Sequence, residues 1–239
     1  MDVGVSEHNE PYLVMEYLEG ESLASMLQRT GPIDLAAACA GAATSIFDNS
    51  LGMEPVALSG NEPLKRRVLT DIADNFKLIC FATSEPTMGS DVSSLRCLAK
   101  EDGGDWVLNG TKYWITNAGL ADYMAVFATA DPKSAHDGIC AFLVERGMEG
   151  FERGRNLKKM GLKSQDTAEL FFADCRIPRA NQVGPKGQGF MMLMEQLQQE
   201  RLLIALGAVA IAEHRLAEIT RICRTTLLND RALSRSQAV

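Results

Sequence analysis

The sequence is poor in histidine, the residue that most often helps to hold a metal ion. It has three histidines, His8, His136 and His214, and they lie far apart along the chain. Metal centres need several ligands in one place, and histidine is among the usual ones. We therefore expect no metal site.

Cysteine pairs with short spacing are also missing. No two cysteines show the C-x-x-C spacing of metal-binding or redox motifs, and most of them lie in apolar runs. This distribution is typical of reduced, buried thiols in a cytosolic protein. The six residues are Cys39, Cys80, Cys97, Cys140, Cys175 and Cys223.

Long apolar runs, a signal sequence and excess positive charge are missing as well. No apolar run approaches the length of a membrane span, and the first ten residues have neither a basic region nor an apolar region of a secretory signal. The net charge of -7 argues against a nucleic-acid surface, which needs clustered Lys and Arg. With 46% apolar residues in 239 positions, we expect a cytoplasmic globular protein of one large or two small domains.

The stretch FATSEPTMGSD, residues 81–91, follows an apolar run and breaks at Glu85-Pro86. Small and hydroxyl residues come next, among them Gly89 and Ser90. A strand that opens into a Gly/Ser turn presents backbone N–H groups, which bind anions well. The stretch therefore predicts a phosphate or pyrophosphate site.

A second stretch, LNGTKYWITNAG, contains Asn109-Gly110 between two β-forming runs. Asn-Gly in that setting is the strongest short-range signal for a β-hairpin, because both central residues of a type I′ turn need positive φ. The hairpin would carry Trp114, Ile115 and Thr116 along one strand, with an aromatic face beside a hydroxyl.

Helices are expected before these stretches and strands around them. An Ala-rich helix over Leu35 to Phe47 should stop at Leu51-Gly52, and Ser59 to Pro63 should form the cap of a further helix. Regular short strands with turn signals then favour a sandwich or a barrel. The predicted strands are Leu78 to Thr83, Asp105 to Leu108, Lys112 to Thr116, Tyr123 to Ala130, Ile139 to Glu145 and Glu169 to Ile177.

A long helix is predicted from Phe190 to about Cys223, because its apolar residues recur every three or four positions. On that helix Glu200 lies three residues after Leu197 and four before Ile204, so it shares an apolar face. Burial would raise the pKa of its carboxyl and suit it to remove a weakly acidic C–H proton. The periodicity alone favours the other interpretation, a surface carboxylate at the rim that pairs with Lys or Arg.

The start of the chain has a different character. Residues Pro11 to Leu23 are predicted to form an apolar strand that leads into a helix over Ser22 to Arg29, and residues 11–29 resemble the hinge of Ser/Thr protein kinases. The glycine-rich loop with its lysine, the catalytic loop and the metal-binding motif of kinases are missing, and phosphoryl transfer needs them. We therefore expect a foreign leader joined near Asp34 to Gly41.

Together, FATSEPTMGSD and LNGTKYWITNAG resemble the acyl-CoA dehydrogenase family, flavoproteins that oxidise acyl-CoA thioesters at the α and β carbons. The two motifs stand in the order and at the distance found in the family, and the resemblance runs from about Thr44 to Arg221. It implies an α+β fold, in which a middle β-barrel is flanked by partial N-terminal helices and the first helix of a truncated C-terminal α-domain. The expected division is a leader over 1–38, an N-terminal helical remnant over 39–75, a middle β-domain over 76–182, the start of the C-terminal helical domain over 183–224 and a divergent tail over 225–239.

The resemblance also implies the roles of individual residues. Glu200-Arg201 matches the pattern of the long-chain and branched-chain branches, in which the catalytic base directly precedes an Arg. Substrate-binding roles are implied for Ser90 and Arg201. Asp166, in a segment similar to a family signature, is expected to form an Asx-type turn that starts a strand. The implied FAD-binding residues are Phe81, Thr83, Ser84, Gly89, Ser90, Trp114, Ile115 and Thr116.

Partners are implied in the same way. The family passes its electrons to an electron-transferring flavoprotein and assembles into homo-oligomers through helices that this chain lacks. We expect an incomplete gene product that descends from an acyl-CoA dehydrogenase. The alternative is a catalytically silent, truncated or chimeric fragment that folds or binds a partner subunit without turnover.

Overall fold

The first helix of the described residues, α1, spans Leu35–Leu58 and continues beyond the point where the sequence predicted its end. The computed structural model describes residues 2–5, 11–14 and 35–235. A Cβ on Gly52 would lie 3.1 Å from the backbone carbonyl carbons of both Ile79 and Cys80. Gly52 thus lets the helix approach the next strand closely, and the prediction that it stops the helix is wrong.

Pro55 lies inside α1 and lacks the N–H that would bond to the carbonyl of Leu51, four residues earlier. That carbonyl instead accepts a hydrogen bond from the side-chain Nε2 of Gln196, on the last helix of the structure. Two residues before Leu51, Asn49 Oδ1 accepts a hydrogen bond of 2.7 Å from the backbone N–H of Ile79. Both contacts fix α1 in place, and they do so through groups that the helix itself leaves unpaired.

The second helix, α2, spans Glu62–Asn75 and begins where the sequence predicted a cap. Asn61 Oδ1 accepts a hydrogen bond of 3.2 Å from the backbone N–H of Leu64, the usual role of an N-cap side chain. Leu64, Val68 and Ile72 recur every four residues and are buried on one face of the helix.

Eight strands form one mixed sheet. In chain order they are β3 Ile79–Ala82, β4 Leu98–Asp102, β5 Asp105–Thr116, β6 Tyr123–Thr129, β7 Ile139–Glu145, β8 Phe151–Asn156, β9 Thr167–Ile177 and β10 Gln182–Val183. The spatial order is β10-β7-β6-β4-β5-β9-β8, and β3 pairs with β6 in parallel. Over residues 35–235 the end strands β10 and β8 do not pair with each other, so the predicted closed barrel is corrected to an open sheet.

The hairpin predicted at Asn109-Gly110 is also wrong, because β5 runs through both residues. The turn lies earlier, at Gly103 and Gly104, whose φ angles of +61° and +94° suit a two-residue loop between β4 and β5. Gly110 lies at a register shift between β5 and β9. A Cβ on it would lie 2.8 Å from the Cα of Cys97, so this glycine permits close strand packing instead of a turn.

The last helix, α3, spans Gly189–Thr225, close to the predicted range. Its first half packs against the rest of the chain and buries Leu193, Gln196 and Glu200. From Arg201 onward most of its side chains are exposed. The exposed apolar side chains of this second half are Leu202, Leu203, Ile204, Leu206, Val209, Ile211, Leu216, Ile219 and Ile222.

Two short strand pairs complete the described chain. β1 Asp2–Val5 pairs with β2 Pro11–Val14, and β11 Leu227–Leu228 pairs with β12 Arg231–Ala232. The strand predicted from Pro11 is thus present over 11–14, whereas the helix predicted over Ser22 to Arg29 lies outside the described residues. In the parts of the chain that the structure describes, no helix has both the length and the apolar character needed to cross a membrane.

Candidate active site

A buried ion pair joins the two sequence motifs. Lys112 of β5 is completely buried, and its Nζ lies 2.8 Å from Glu85 Oε1 and 3.0 Å from the carbonyl oxygen of Thr83. The Glu85 carboxylate also accepts hydrogen bonds from the backbone N–H groups of Arg96, at 2.8 Å, and Cys97, at 2.9 Å. Burial lowers the pKa of Lys112, while the Glu85 charge and four hydrogen bonds compensate for the loss of water.

The sequence did not predict this pair, although a signal was available. Trp106, Leu108 and Lys112 are all buried and are separated by even numbers of residues along β5. Lys112 therefore lies on the face of the strand that points into the core. A lysine at such a position needs a buried partner. The pair fixes the 83–90 loop against β5, and the backbone N–H of Tyr113 adds a hydrogen bond of 2.9 Å to the carbonyl of Ser84.

The 83–90 loop presents hydroxyl groups of differing exposure. Thr83 is buried, and its Oγ1 has no hydrogen-bond partner among the described residues. Ser84 is half-buried, while Gly89 and Ser90 are exposed. A Cβ at Gly89 would have open space around it, so its surroundings in this structure do not by themselves require glycine.

Trp114 lies at an irregularity of β5. Its φ is +60°, and the register between β5 and β9 shifts between Lys112 and Ile115. Positive φ is uncommon for a bulky residue, and such strain recurs at functional sites. The indole is 55% exposed, whereas the side chain of Ile115 is buried in the core and Thr116 is half-buried.

Asp166 joins two loops instead of only starting a strand. Its Oδ2 accepts a hydrogen bond of 2.6 Å from the backbone N–H of Gly119, and its carbonyl accepts one of 3.1 Å from the N–H of Asn117. A Cβ on Gly119 would lie 2.6 Å from Asp166 Oδ1. This contact fixes the loop that directly follows Thr116.

Glu200 is buried on α3, with 8% of its surface exposed. Burial, and after it the charge of Glu54, raises the pKa of its carboxyl. Its Oε2 has no hydrogen-bond partner within the described chain. The face that Glu200 shares is formed by Leu193 and Gln196, and not by Ile204, which the sequence placed there and which is 65% exposed.

A cavity of about 500 Å³ lies between the loop around Gly89 and α3. Ser90 and Arg201, which the resemblance assigns to the substrate, and Gly89, which it assigns to the cofactor, all line this cavity. Glu200 faces α1 and does not line it. At its wall the ring of His136 stacks on Phe190 with centroids 3.9 Å apart. The other lining residues are Asp91, Val92, Ser93, Met194 and Leu197.

Comparison with known proteins gives one consistent result. The family model described as acyl-CoA dehydrogenase, middle domain, matches residues 80–175, and the one described as acyl-CoA dehydrogenase, C-terminal domain, matches residues 187–239. The second match includes residues 225–239, which the sequence analysis set apart as a tail.

Individual relatives agree with these matches. The chain is 43% identical over 177 residues to the mitochondrial long-chain specific acyl-CoA dehydrogenase of Sus scrofa, which covers 73% of this chain and 41% of the relative. It is 38% identical over 201 residues to the mitochondrial short-chain specific acyl-CoA dehydrogenase of Mus musculus. That match covers 84% of this chain and 49% of the relative. The crystal structure of an acyl-CoA dehydrogenase from Geobacillus kaustophilus matches with a TM-score of 0.76 and 37% identity, over 82% of this chain and 53% of that one.

The chain therefore spans about half the length of these relatives. The comparisons give no support to the resemblance of residues 11–29 to a kinase hinge, nor to the alternative of a silent fragment. Two adjacent domain models, relatives at about 40% identity and a solved structure all point the same way. The chain belongs to the acyl-CoA dehydrogenase family.

Proposed function

We propose that the protein oxidises an acyl-CoA thioester at its α and β carbons, with Glu200 as the base that removes the α-proton. The observation that carries this proposal is the state of the Glu200 carboxyl: it is buried, its pKa is raised, and one oxygen is unpartnered within the described residues. A base for a weakly acidic C–H needs these properties. The next residue, Arg201, lines the cavity that Ser90 also lines.

Residues of both motifs fit a flavin. The unpartnered, buried hydroxyl of Thr83 is a polar group that a bound molecule could satisfy. Ser84 and Thr116 offer two further hydroxyls, and the exposed indole of Trp114 offers an aromatic face. These residues, with Phe81 and the backbone of Ile115, would hold FAD, and the bound flavin would supply the acceptor for the hydride that leaves the β-carbon.

The chain's own residues supply binding, orientation and proton removal. Ser90 and Arg201 would bind the CoA portion of the substrate at the cavity. Glu200 would take the α-proton on an oxygen that has no other partner in the described chain. The buried Lys112–Glu85 pair would keep the 83–90 loop in register with β5, so that Thr83 and Thr116 face one ligand.

Partners follow from the family and from the surface. We propose that electrons pass to an electron-transferring flavoprotein, the acceptor that the family resemblance implies. The exposed apolar side chains of the second half of α3 support an arrangement in which other helices cover that surface, as in a homo-oligomer. The length of the acyl chain is left open by relatives that are named for long and for short chains.

The test is the visible spectrum of the purified chain after incubation with FAD and desalting. We expect retained flavin that bleaches on addition of an acyl-CoA, with a series of chain lengths as the probes. Glu200→Gln should retain flavin, and its bleaching should be slower than that of the wild type by a factor of about a hundred or more. Glu213→Gln, at an exposed position of the same helix, is the matched control and should bleach normally. A colourless protein, or bleaching by Glu200→Gln at the normal rate, would contradict the proposal.

A further inference from the structure

A second buried carboxyl group belongs to the same region as Glu200. Asp48 lies on α1 with 9% of its surface exposed, and its Oδ2 has no partner among the described residues. An unpaired carboxylate is costly to bury, and it usually responds by keeping its proton. The sequence offered no reason to single out Asp48.

The contact between α1 and α3 brings the two acids toward each other. Gln196 of α3 donates to the carbonyl of Leu51 on α1, the carbonyl that Pro55 leaves without a helical donor. Asp48 precedes Leu51 by three residues and Glu200 follows Gln196 by four, so each acid lies one turn from this contact and on the same face of its helix.

We propose that Asp48 and Glu200 act as one electrostatically coupled pair, in which Asp48 keeps its proton and leaves Glu200 as the carboxylate that accepts a proton from substrate. Asp48 is then a positioning residue, because it acts through Glu200 and need not touch the reacting atoms. This inference deepens the proposed function and, for its catalytic consequence, rests on it.

The electrostatics of the surrounding groups support this assignment. Burial, and after it the charge of Glu200, raises the pKa of Asp48 to about 8. The pKa of Glu200 is raised by burial and then by Glu54, the other acid that faces it from α1. Glu195 faces Glu54 from α3, and the Cys80 thiol lies nearby on β3, where burial and the charge of Asp48 raise its pKa. Every one of these groups is acidic, so each resists a second negative charge on the pair.

The proton balance of the pair is simple. Between the two ionisations the pair holds one proton and one negative charge, with the proton on Asp48. Removal of the substrate α-proton gives the pair its second proton, which lies on Glu200. The electron pair of the broken C–H bond would form the α,β double bond, and a bound flavin would supply the acceptor for the hydride from the β-carbon. Ionisation of Asp48 would put a second negative charge beside a reaction that itself develops negative charge.

The first test needs no catalysis. Asp48 binds its proton in the folded protein up to about pH 8 but releases it near pH 4 when unfolded, so the folded state holds more protons between these values and loses stability as pH rises. In Asp48→Asn this pH-dependent loss of stability should be absent, because the amide does not titrate. We expect the unfolding constant of the wild type, divided by that of Asp48→Asn, to rise about tenfold per pH unit between about pH 5 and 7.5.

Asp74→Asn, at an exposed position of α2, is the matched control and should leave this dependence unchanged. A ratio of unfolding constants that does not change with pH would overturn the pair. An infrared difference spectrum gives a second measurement on the folded protein: a protonated carboxyl signal at neutral pH should be present in the wild type and in Asp74→Asn, and missing in Asp48→Asn. Its persistence in Asp48→Asn would also count against the pair.

The second test uses the FAD-loaded chain and an acyl-CoA. Wild-type bleaching should slow above about pH 8, as Asp48 ionises, whereas Asp48→Asn should keep its rate there. Equal high-pH behaviour of the two proteins would overturn the catalytic role of Asp48. If no variant bleaches at any pH, the proposed function fails, while the unfolding and infrared measurements still decide whether Asp48 keeps its proton in the folded protein.

Discussion

The ammonium group of Lys112 lies 2.8 Å from the carboxylate of Glu85, and both side chains are almost completely buried. The two residues belong to the two motifs from which the family resemblance was drawn. The pair therefore gives a physical reason why these motifs occur together: the lysine of one satisfies the glutamate of the other. The hydroxyls assigned to the flavin lie on the backbone that this pair holds.

Lys112→Met should be strongly destabilising. The substitution leaves Glu85 buried without its cation, and removal of one partner of a buried pair costs about 3–5 kcal/mol. Denaturant unfolding of the chain measures this change. Lys100→Met, at an exposed position of the neighbouring strand β4, is the control and should cost less than about 1 kcal/mol.

The double variant Glu85→Gln/Lys112→Met separates charge from packing. Because it removes the unpaired charge, it should recover part of the stability that Lys112→Met loses. If Lys112→Met proves as stable as Lys100→Met, the pair does not hold the 83–90 loop in the way we describe.

The hydrogen bond from Gln196 to the carbonyl that Pro55 leaves without a helical donor can be tested with a double-mutant cycle. In the wild type Gln196 bonds the carbonyl of Leu51, so Gln196→Met should cost about 1 kcal/mol. In a Pro55→Ala background the restored backbone N–H competes for that carbonyl, and the same substitution should cost less. Thermal or denaturant unfolding of the four proteins gives the coupling energy, for which we expect about 0.5–1 kcal/mol. A coupling energy of zero would mean that the two groups are independent.

The sequence predicted features that depend on neighbours along the chain. The helix cap within Ser59 to Pro63, the extent of α3 and the burial of Glu200 follow from capping residues and helical periodicity, and the structure has all three. The hairpin prediction at Asn109-Gly110 was wrong because long-range contacts outweigh the local turn signal. The Asn109 side chain bonds Asp174 across the sheet, and Gly110 leaves space for Cys97.

Long-range contacts explain the other differences. From the sequence alone, Gly52 predicts the end of a helix, because its close contact with β3 is known only from the fold. The partner of Lys112 lies 27 residues away in sequence, and the closeness of Asp48 and Glu200 depends on two helices at opposite ends of the described chain. The helical and strand periodicities of a sequence carry no information about such long-range contacts. The proposed pair of Asp48 and Glu200 therefore could not be predicted without the fold.

Glu54→Gln should change the pH dependence of the proposed reaction. The charge of Glu54 helps to raise the pKa of Glu200, so its removal lowers that pKa. A base works as the carboxylate, and activity therefore rises as pH passes its pKa; in Glu54→Gln the rise should shift to lower pH. The rate of flavin bleaching by acyl-CoA against pH is the measurement, with Glu213→Gln as the control. An unshifted or upward-shifted rise would argue against Glu200 as the group that titrates.

Two buried threonines allow the flavin site to be tested without turnover. Thr83 Oγ1 and Thr129 Oγ1 are both buried without a partner in the described residues, but only Thr83 lies in the motif that we assign to the flavin. Replacement of either by Val removes an unsatisfied hydroxyl, so both variants should be as stable as the wild type or more stable in the absence of FAD.

Their affinities for FAD should then separate. If the Thr83 hydroxyl bonds the flavin, Thr83→Val loses about 1 kcal/mol of binding free energy, which is about a fivefold weaker Kd, while Thr129→Val keeps the wild-type Kd. Fluorescence titration of FAD gives both constants. Equal affinities in the two variants would remove Thr83 from the flavin site and leave its buried hydroxyl without an explanation, because nothing else in the described chain bonds to it.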